Sequence, residues 1–395
     1  MDNNRLAIFQ LRILTVTSGV TQFSIAMVNL AVIFHLRAKF NLSPQMIGIA
    51  SSVYTFTYFI FCMLLGNVYA RLKPRHCVEM SLIGMAASVL VLLLAEVVWL
   101  AFVALGFYGL FMSMLWPPIE SWLTRGKEGN ELNVTTSAFN FSWSFGAGIS
   151  PLIAGFLVER STSLPLISGV VVFCAVYLLI AISTRLVPGI RAMKSEHQTN
   201  SEELRDDRST PLRFLCWAGV VTGYIALSVI MTIFPIYAVD QLNISESRVG
   251  FLLLIRGFAT CLMFVYIGRV SWWQFNKAVI MGSQIALAVL CLAGMRIASI
   301  GAYSVLFFLF GILFSMIYNL SIFHGASGSV NRSQRMVVHE ILLTIGAIVG
   351  ATLGGTVYQY FSFNRVLFYC ALLVLTPVVF EILRTIGTRK TIVLN

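Results

Sequence analysis

Residues 187–211 read VPGIRAMKSEHQTNSEELRDDRSTP, the only long hydrophilic stretch in a chain of 395 residues. Charges of both signs alternate through Lys194-Ser195-Glu196-His197 and Glu202-Glu203-Leu204-Arg205-Asp206-Asp207-Arg208, which reads as a solvated linker. On either side the composition inverts. The whole chain is 58% hydrophobic and 11% charged, with a mean hydropathy of +0.86. Soluble proteins carry about 45–50% apolar and about 25% charged residues, so a cytosolic enzyme, a disordered chain and a coiled coil are excluded.

A bilayer core about 30 Å thick needs roughly 20 apolar residues per helix. Twelve such runs are present: Phe9 to Leu36, Met46 to Ala70, Cys77 to Val97, Trp99 to Leu123, Val134 to Leu157 and Leu164 to Thr184 before the linker, then Leu212 to Val239, Val249 to Val270, Ala278 to Met295, Ile300 to Phe323, Val337 to Tyr360 and Val366 to Ile386. The expected fold is an all-α integral membrane protein with a six-helix bundle at 1–186, a cytoplasmic linker at 187–211 and a second bundle at 212–395. The first run is long enough to remain as a span, so no cleavable signal peptide is expected.

Charge sets the orientation. Of 27 Lys and Arg, 20 fall on the side of the N-terminus, six on the other side (Arg37, Lys39, Arg160, Arg248, Arg296 and Arg365), and Arg256 lies inside a span. Under the positive-inside rule both termini are cytoplasmic. The net charge of +11 then reports topology and contact with anionic membrane lipids, not nucleic acid. The seven cysteines lie in or beside spans with no C-x-x-C, and read as small packing residues with no disulfide framework and no metal site.

The two sets of six are related. A shift of about 200 residues places Gly66 on Gly268, Met112-Ser113-Met114 on Phe314-Ser315-Met316, and Gly146-Ala147 with Gly155 on Gly346-Ala347 with Gly355. Matches in this order and at nearly constant spacing point to a duplicated six-helix unit.

Six plus six helices, a charged central linker and a glycine-to-basic segment after the second span resemble the major facilitator superfamily of secondary transporters, over essentially the whole chain. The family signature there is G-x-x-x-D-R-x-G-R-R. Here Gly66, Arg71 and Arg75 match it, while Ala70 replaces the acid and Lys73 the second glycine. The resemblance implies a gating role for Gly66, Arg71 and Arg75. In the fifth span, Gly146-Ala147-Gly148-Ile149-Ser150-Pro151 followed by Gly155 looks like a degraded form of the antiporter-associated G-x-x-x-G-P motif.

Charge at membrane depth is costly and marks function. Arg256 lies eight residues after Arg248 and thirteen before Arg269, too deep to snorkel to either surface. Its guanidinium suits carboxylate or phosphate, and reads either as a substrate anchor or as half of a buried structural pair. Tyr54 is its repeat counterpart.

Glu340, with His339 beside it as a second proton-coupling candidate, aligns with Asn140 in the first set. In a partly dry cavity a bare carboxylate is penalised and can carry a proton; near Arg332 and Arg335 it can instead form a local ion pair. Because Leu343 occupies the second histidine position, His339-Glu340 is not a zinc-protease motif. Glu120 follows Trp116-Pro117-Pro118, where two prolines bend the fourth span. It reads either as a coupling group or as a carboxylate snorkelling toward Arg125. Gln22, Asn29, Trp116, Asn140, Tyr224, Tyr318 and Asn319 can hydrogen-bond or stack on a solute. The resemblance places spans one, four, seven and ten around the pathway. Gly346, Gly350 and Gly354 share one helical face and read as a close-packing surface.

No Walker A loop, G-x-S-x-G or H-E-x-x-H pattern is present, so neither ATP drive nor enzymatic chemistry is expected. The function expected is secondary transport of a small, anionic solute by alternating access, coupled to an ion, the proton first. The alternatives are a drug or lipid exporter of the same superfamily and a non-transporting membrane sensor. No cofactor is expected, the chain is expected to act as a monomer, and the expected location is the cell membrane, bacterial inner membrane first.

Overall fold

A computed structural model describes residues 3–124, 129–186, 209–329 and 332–393. All regular structure among them is helical, as lipid demands: without water to bond, the backbone must satisfy its own polar groups. Almost all of the central linker lies outside the described residues.

The first six spans are α1 (Asn3–Phe40), α2 (Pro44–Arg71), α3 (Pro74–Leu94), α4 (Val98–Ser113) with α5 (Trp116–Thr124), α6 (Gly129–Arg160) and α7 (Leu164–Leu186). The second six are α8 (Leu212–Ser228) with a π-helical turn (Val229–Ile233) and α9 (Phe234–Asp240), then α10 (Glu246–Ile267), α11 (Lys277–Gly294), α12 (Ile300–Ala326), α13 (Arg332–Tyr360) and α14 (Phe363–Val393). Among the described residues, twelve stretches are long and apolar enough to cross a membrane, within a few residues of the runs read from sequence. The fourth span breaks at Met114–Leu115, just before Pro117-Pro118. Large apolar side chains such as Leu94, Phe107, Val171, Leu353 and Phe380 are exposed on the outer surface, which in water would aggregate and in a bilayer meets acyl chains.

The two sets repeat each other in backbone detail. Asn41 (φ 50°) and Asn243 (φ 51°) close the α1–α2 and α9–α10 turns, both in the left-handed region that asparagine tolerates. A Cβ on Gly48 would strike the carbonyl of Ala351, and one on Gly250 the carbonyl of Pro151. Likewise Gly355 abuts Pro44 and Gln45, as Gly155 abuts Glu246 and Ser247. The α2–α13 and α6–α10 crossings are therefore the same crossing built twice, with glycine allowing each backbone to close on the other. Within the second set, Gly346 and Gly350 press on α8 at Val221, Tyr224 and Ile225, and Ser228 Oγ donates to the carbonyl of Ala347 at 2.7 Å.

These crossings define two ends of the molecule. We call the end bearing the starts of α1, α3, α8 and α11 the basic end. Contacts between the two sets run from mid-span, where Gly148 meets Gly257, to the opposite end. Ser52 Oγ lies 2.7 Å from Thr352 Oγ1 and donates to the carbonyl of Ile348 at 3.2 Å. Furthest out, Arg37 pairs with Asp240, and the Ser247 N–H donates to Glu159 Oε1 at 3.1 Å. Ser52, Arg37 and Ser247 thus tie the two sets together toward the end opposite the basic one. We call the space between the sets toward the basic end the cleft.

Candidate functional site in the cleft

Arg256 sits near the middle of α10, 8% exposed. It is held deep because α12 approaches closely: a Cβ on Gly311 would collide with the carbonyl of Arg256, and Thr260 Oγ1 donates to the carbonyl of Gly311 at 3.3 Å. Its Nε is buried without a hydrogen-bond partner, and no ion pair to Arg256 occurs among the described residues. A buried cation in that state has lost water without gaining a counter-charge. The groups within its electrostatic reach are Tyr224 and Cys261.

Tyr224 belongs to an aromatic wall. Its ring lies 5.2 Å from Phe314 and 6.3 Å from Tyr318, and Tyr318 in turn lies 5.8 Å from Phe264. Glu340 is exposed on α13, within electrostatic reach of Tyr224 in its own set and of Cys62 on α2 across the cleft. Tyr224 thus lies within electrostatic reach of both charged residues, while Glu340 forms no ion pair among the described residues. Arg335 holds its guanidinium over the indole of Trp217, 5.7 Å from the ring centroid. The side chain of Arg332 lies outside the described residues.

His339, one residue before Glu340, turns the other way. It is 1% exposed, its Nδ1 is 2.9 Å from Ser321 Oγ, and its ring packs 5.2 Å from Tyr318. The fold therefore brings Arg256, Tyr224, Tyr318 and Glu340 to one side of the second set, with His339 buried behind Tyr318. Asn319, on the same helix as Tyr318, spends its amide N–H on the carbonyl of Ser315 at 3.2 Å.

The remaining expected residues have neighbours of their own. Tyr54 on α2 stacks edge-on against Tyr108 at 6.1 Å. Gln22 and Asn29 are half-buried on α1. Asn140 accepts from the Trp143 indole N–H at 3.1 Å, and Trp116 stands edge-on to Phe139 at 6.2 Å. Arg75 lies 3.8 Å from Glu79 one turn along α3. The side-chain surroundings of Gly66, Arg71 and Glu120 lie outside the described residues.

Some functional candidates had no sequence signal. Cys62 reads as packing, yet the fold brings it within electrostatic reach of Glu340 in the other set. Arg37 and Asp240 are separated by 203 positions and meet only when α1 and α9 end side by side. The π turn at Val229–Ile233 follows an ordinary apolar run, where the extra residue per turn has no compositional mark. Among the described residues, no group of three or more His, Cys, Asp or Glu could hold a metal ion.

Residues 14–327 match the family model of the Major Facilitator Superfamily. No curated protein matches the chain significantly in sequence. Among solved structures, a POT family transporter in complex with a thioalcohol-conjugated peptide is similar at a TM-score of 0.75 and 12% identity, covering 95% of this chain and 96% of that one. A bacterial homologue of the human lysosomal transporter Spinster, in an inward-facing and unoccupied conformation, is similar at 0.73 and 10%, covering 97% of each chain. The nucleoside transporter NupG is similar at 0.72 and 12%, covering 94% of this chain and 98% of its own. At these identities the likeness is one of fold.

Proposed function

The chain belongs to the Major Facilitator Superfamily, and from that premise we propose that it is a secondary transporter moving a small anionic solute in exchange for, or together with, protons. The observation that carries the reading is Arg256: a buried guanidinium at mid-span, with an unpartnered Nε beside Tyr224. An anionic group entering the cleft supplies the missing counter-charge, and the planar donor fork favours carboxylate or phosphate. The aromatic wall of Tyr224, Phe314 and Tyr318 takes the apolar part of the solute. Glu340, exposed to the same cleft, carries the proton.

In this reading the bundles at 1–186 and 212–395 rock about the Gly148–Gly257 crossing, and the basic end faces the cytoplasm. The described conformation is then inward-open, sealed outside by Arg37–Asp240 and by Ser247–Glu159. The protein acts as a monomer in the bacterial inner membrane. The aromatic wall also favours a second reading, export of amphipathic compounds.

The test is a thermal-shift panel of carboxylates, phosphates, sugars and lipophilic cations on the purified chain, since ligands of the folded state raise its apparent stability. Hits are followed by flux in sealed vesicles with and without a pH gradient. Anion hits with gradient-driven flux support the reading. Stabilisation by lipophilic cations with outward flux selects the exporter, and binding without flux selects a sensor.

A further inference from the structure

Arg256 and Glu340 stand at two heights of one aromatic wall. On α12, Gly311 abuts the backbone of Arg256, and Tyr318 follows it toward the basic end, about 10 Å along the axis. There the ring of Tyr318 packs 5.2 Å from His339, the residue before Glu340. Between the two levels stand Phe314 and Tyr224, their rings 5.2 Å apart, with Phe314 6.2 Å and Tyr224 6.3 Å from the Tyr318 ring.

The two charges are not partners. Arg256 Nε is buried without a hydrogen-bond partner and Glu340 is exposed; neither forms an ion pair among the described residues, with the other or with a third group. Arg335, on the same helix as Glu340, lies over the indole of Trp217. Both charges are nonetheless within electrostatic reach of Tyr224. Unpaired charges of opposite sign on one wall at membrane depth are each costly, and a solute of one sign compensates only one of them.

We propose that the solute is a zwitterion whose charges are held apart by a flat apolar body, with its carboxylate on Arg256, its ammonium on Glu340 and its apolar body along Tyr224 and Tyr318. The inference rests on the reading of Arg256 as the anchor of an anionic group, and narrows the class of solute that carries it. The guanidinium fork takes a carboxylate through two parallel N–H donors. The ammonium gains the carboxylate of Glu340 and the faces of the tyrosine rings. A plain anion leaves Glu340 bare and a plain amine leaves Arg256 bare, so each forfeits a charge-assisted contact. An α-amino acid carries both charges on one carbon and serves one of the two groups at a time. Solute and proton then occupy Glu340 in turn.

The experiment measures dissociation constants on the purified full chain by isothermal titration calorimetry. The probes are para-(aminomethyl)benzoate, with its charges at opposite ends of one ring, para-methylbenzoate without the ammonium, para-methylbenzylamine without the carboxylate, and phenylalanine. The first should bind at least about ten-fold tighter than each of the others. E340Q should reduce its advantage over para-methylbenzoate to within about three-fold, and R256Q its advantage over para-methylbenzylamine. The loss in E340Q is one of affinity, which exchange at saturating solute does not sense. Equal binding of para-(aminomethyl)benzoate and para-methylbenzoate by the wild-type chain overturns the proposal. So do phenylalanine binding as tightly as the spaced zwitterion, an advantage that survives E340Q, and no binding by any probe. Para-methylbenzoate binding that R256Q abolishes, with no gain from the ammonium, overturns the zwitterion and upholds the anchor; binding of the amine alone overturns both. Should a variant fail to fold, the wild-type ranking of the matched probes decides.

Discussion

Tyr54 and Arg256 hold equivalent places in the two six-span sets: the carbonyl of each stands where a side chain on the facing glycine, Gly109 for Tyr54 and Gly311 for Arg256, would have to be. Both pairs are related by the same shift of 202 positions. The backbone is thus symmetric where the chemistry is not. One set presents a phenol that stacks on Tyr108, and the other a guanidinium with no counter-ion among the described residues.

That asymmetry predicts a trade of stability for binding at Arg256. Replacing the uncompensated buried charge with Met removes a desolvation penalty, so R256M should unfold at a temperature a few degrees higher than the wild-type chain. It should also lose response to any anion that stabilises the wild-type protein. Lower stability in R256M would mean that the guanidinium is structurally paired after all, and retained anion binding would remove its anchoring role.

Glu340 is expected to separate coupling from exchange. In vesicles, E340Q should abolish accumulation driven by a pH gradient while keeping solute-for-solute exchange within about three-fold of wild type, since a neutral amide permits rocking but carries no proton. Gradient-driven accumulation that survives in E340Q excludes this carboxylate as the proton carrier.

In the proposed alternating-access cycle, the end away from the basic end is held closed in part by Arg37 and Asp240. Both side chains are partly exposed, 34% and 24%, so the pair contributes only about 0.5–1 kcal/mol after solvent screening. That changes the ratio of outward-open to inward-open forms by about two- to five-fold. Spin labels at the opposite end should report a larger outward-open fraction in R37Q and in D240N. The charge-swapped R37D/D240R should restore the wild-type distribution if the pair acts through its charge.

Glycines at the crossings should be intolerant in matched pairs. A Cβ at Gly155 or Gly355 would meet backbone of the facing helix, which cannot rotate away, so G155V and G355V should each cost about 1–3 kcal/mol. G282A and G301A meet nothing within 4 Å and should be neutral or stabilising by up to about 1 kcal/mol. Thermal unfolding of the four variants checks both the magnitude and the equality of the symmetric pair.

The fold was largely legible along the chain. Span length, loop charge and the 200- to 202-residue repeat are one-dimensional properties, because a helix in lipid satisfies its own backbone and needs no distant partner to form. Arg256 stood out for the same reason, since its depth within an apolar run can be counted in residues. The break in the fourth span is equally local and follows from Pro117-Pro118.

Tertiary structure decided what faces what. His339 and Glu340 are neighbours in sequence, and only the packing of α12 against α13 buries the first against Ser321 while leaving the second in the cleft. Helix rotation, unlike helix length, is set by contacts between segments hundreds of residues apart. For that reason the approach of Cys62 to Glu340, the Arg37–Asp240 ion pair and the Gly148–Gly257 contact are absent from any single stretch of sequence. The charged linker is what predicts a boundary between two units; the glycine crossings determine how the two sets of spans are joined.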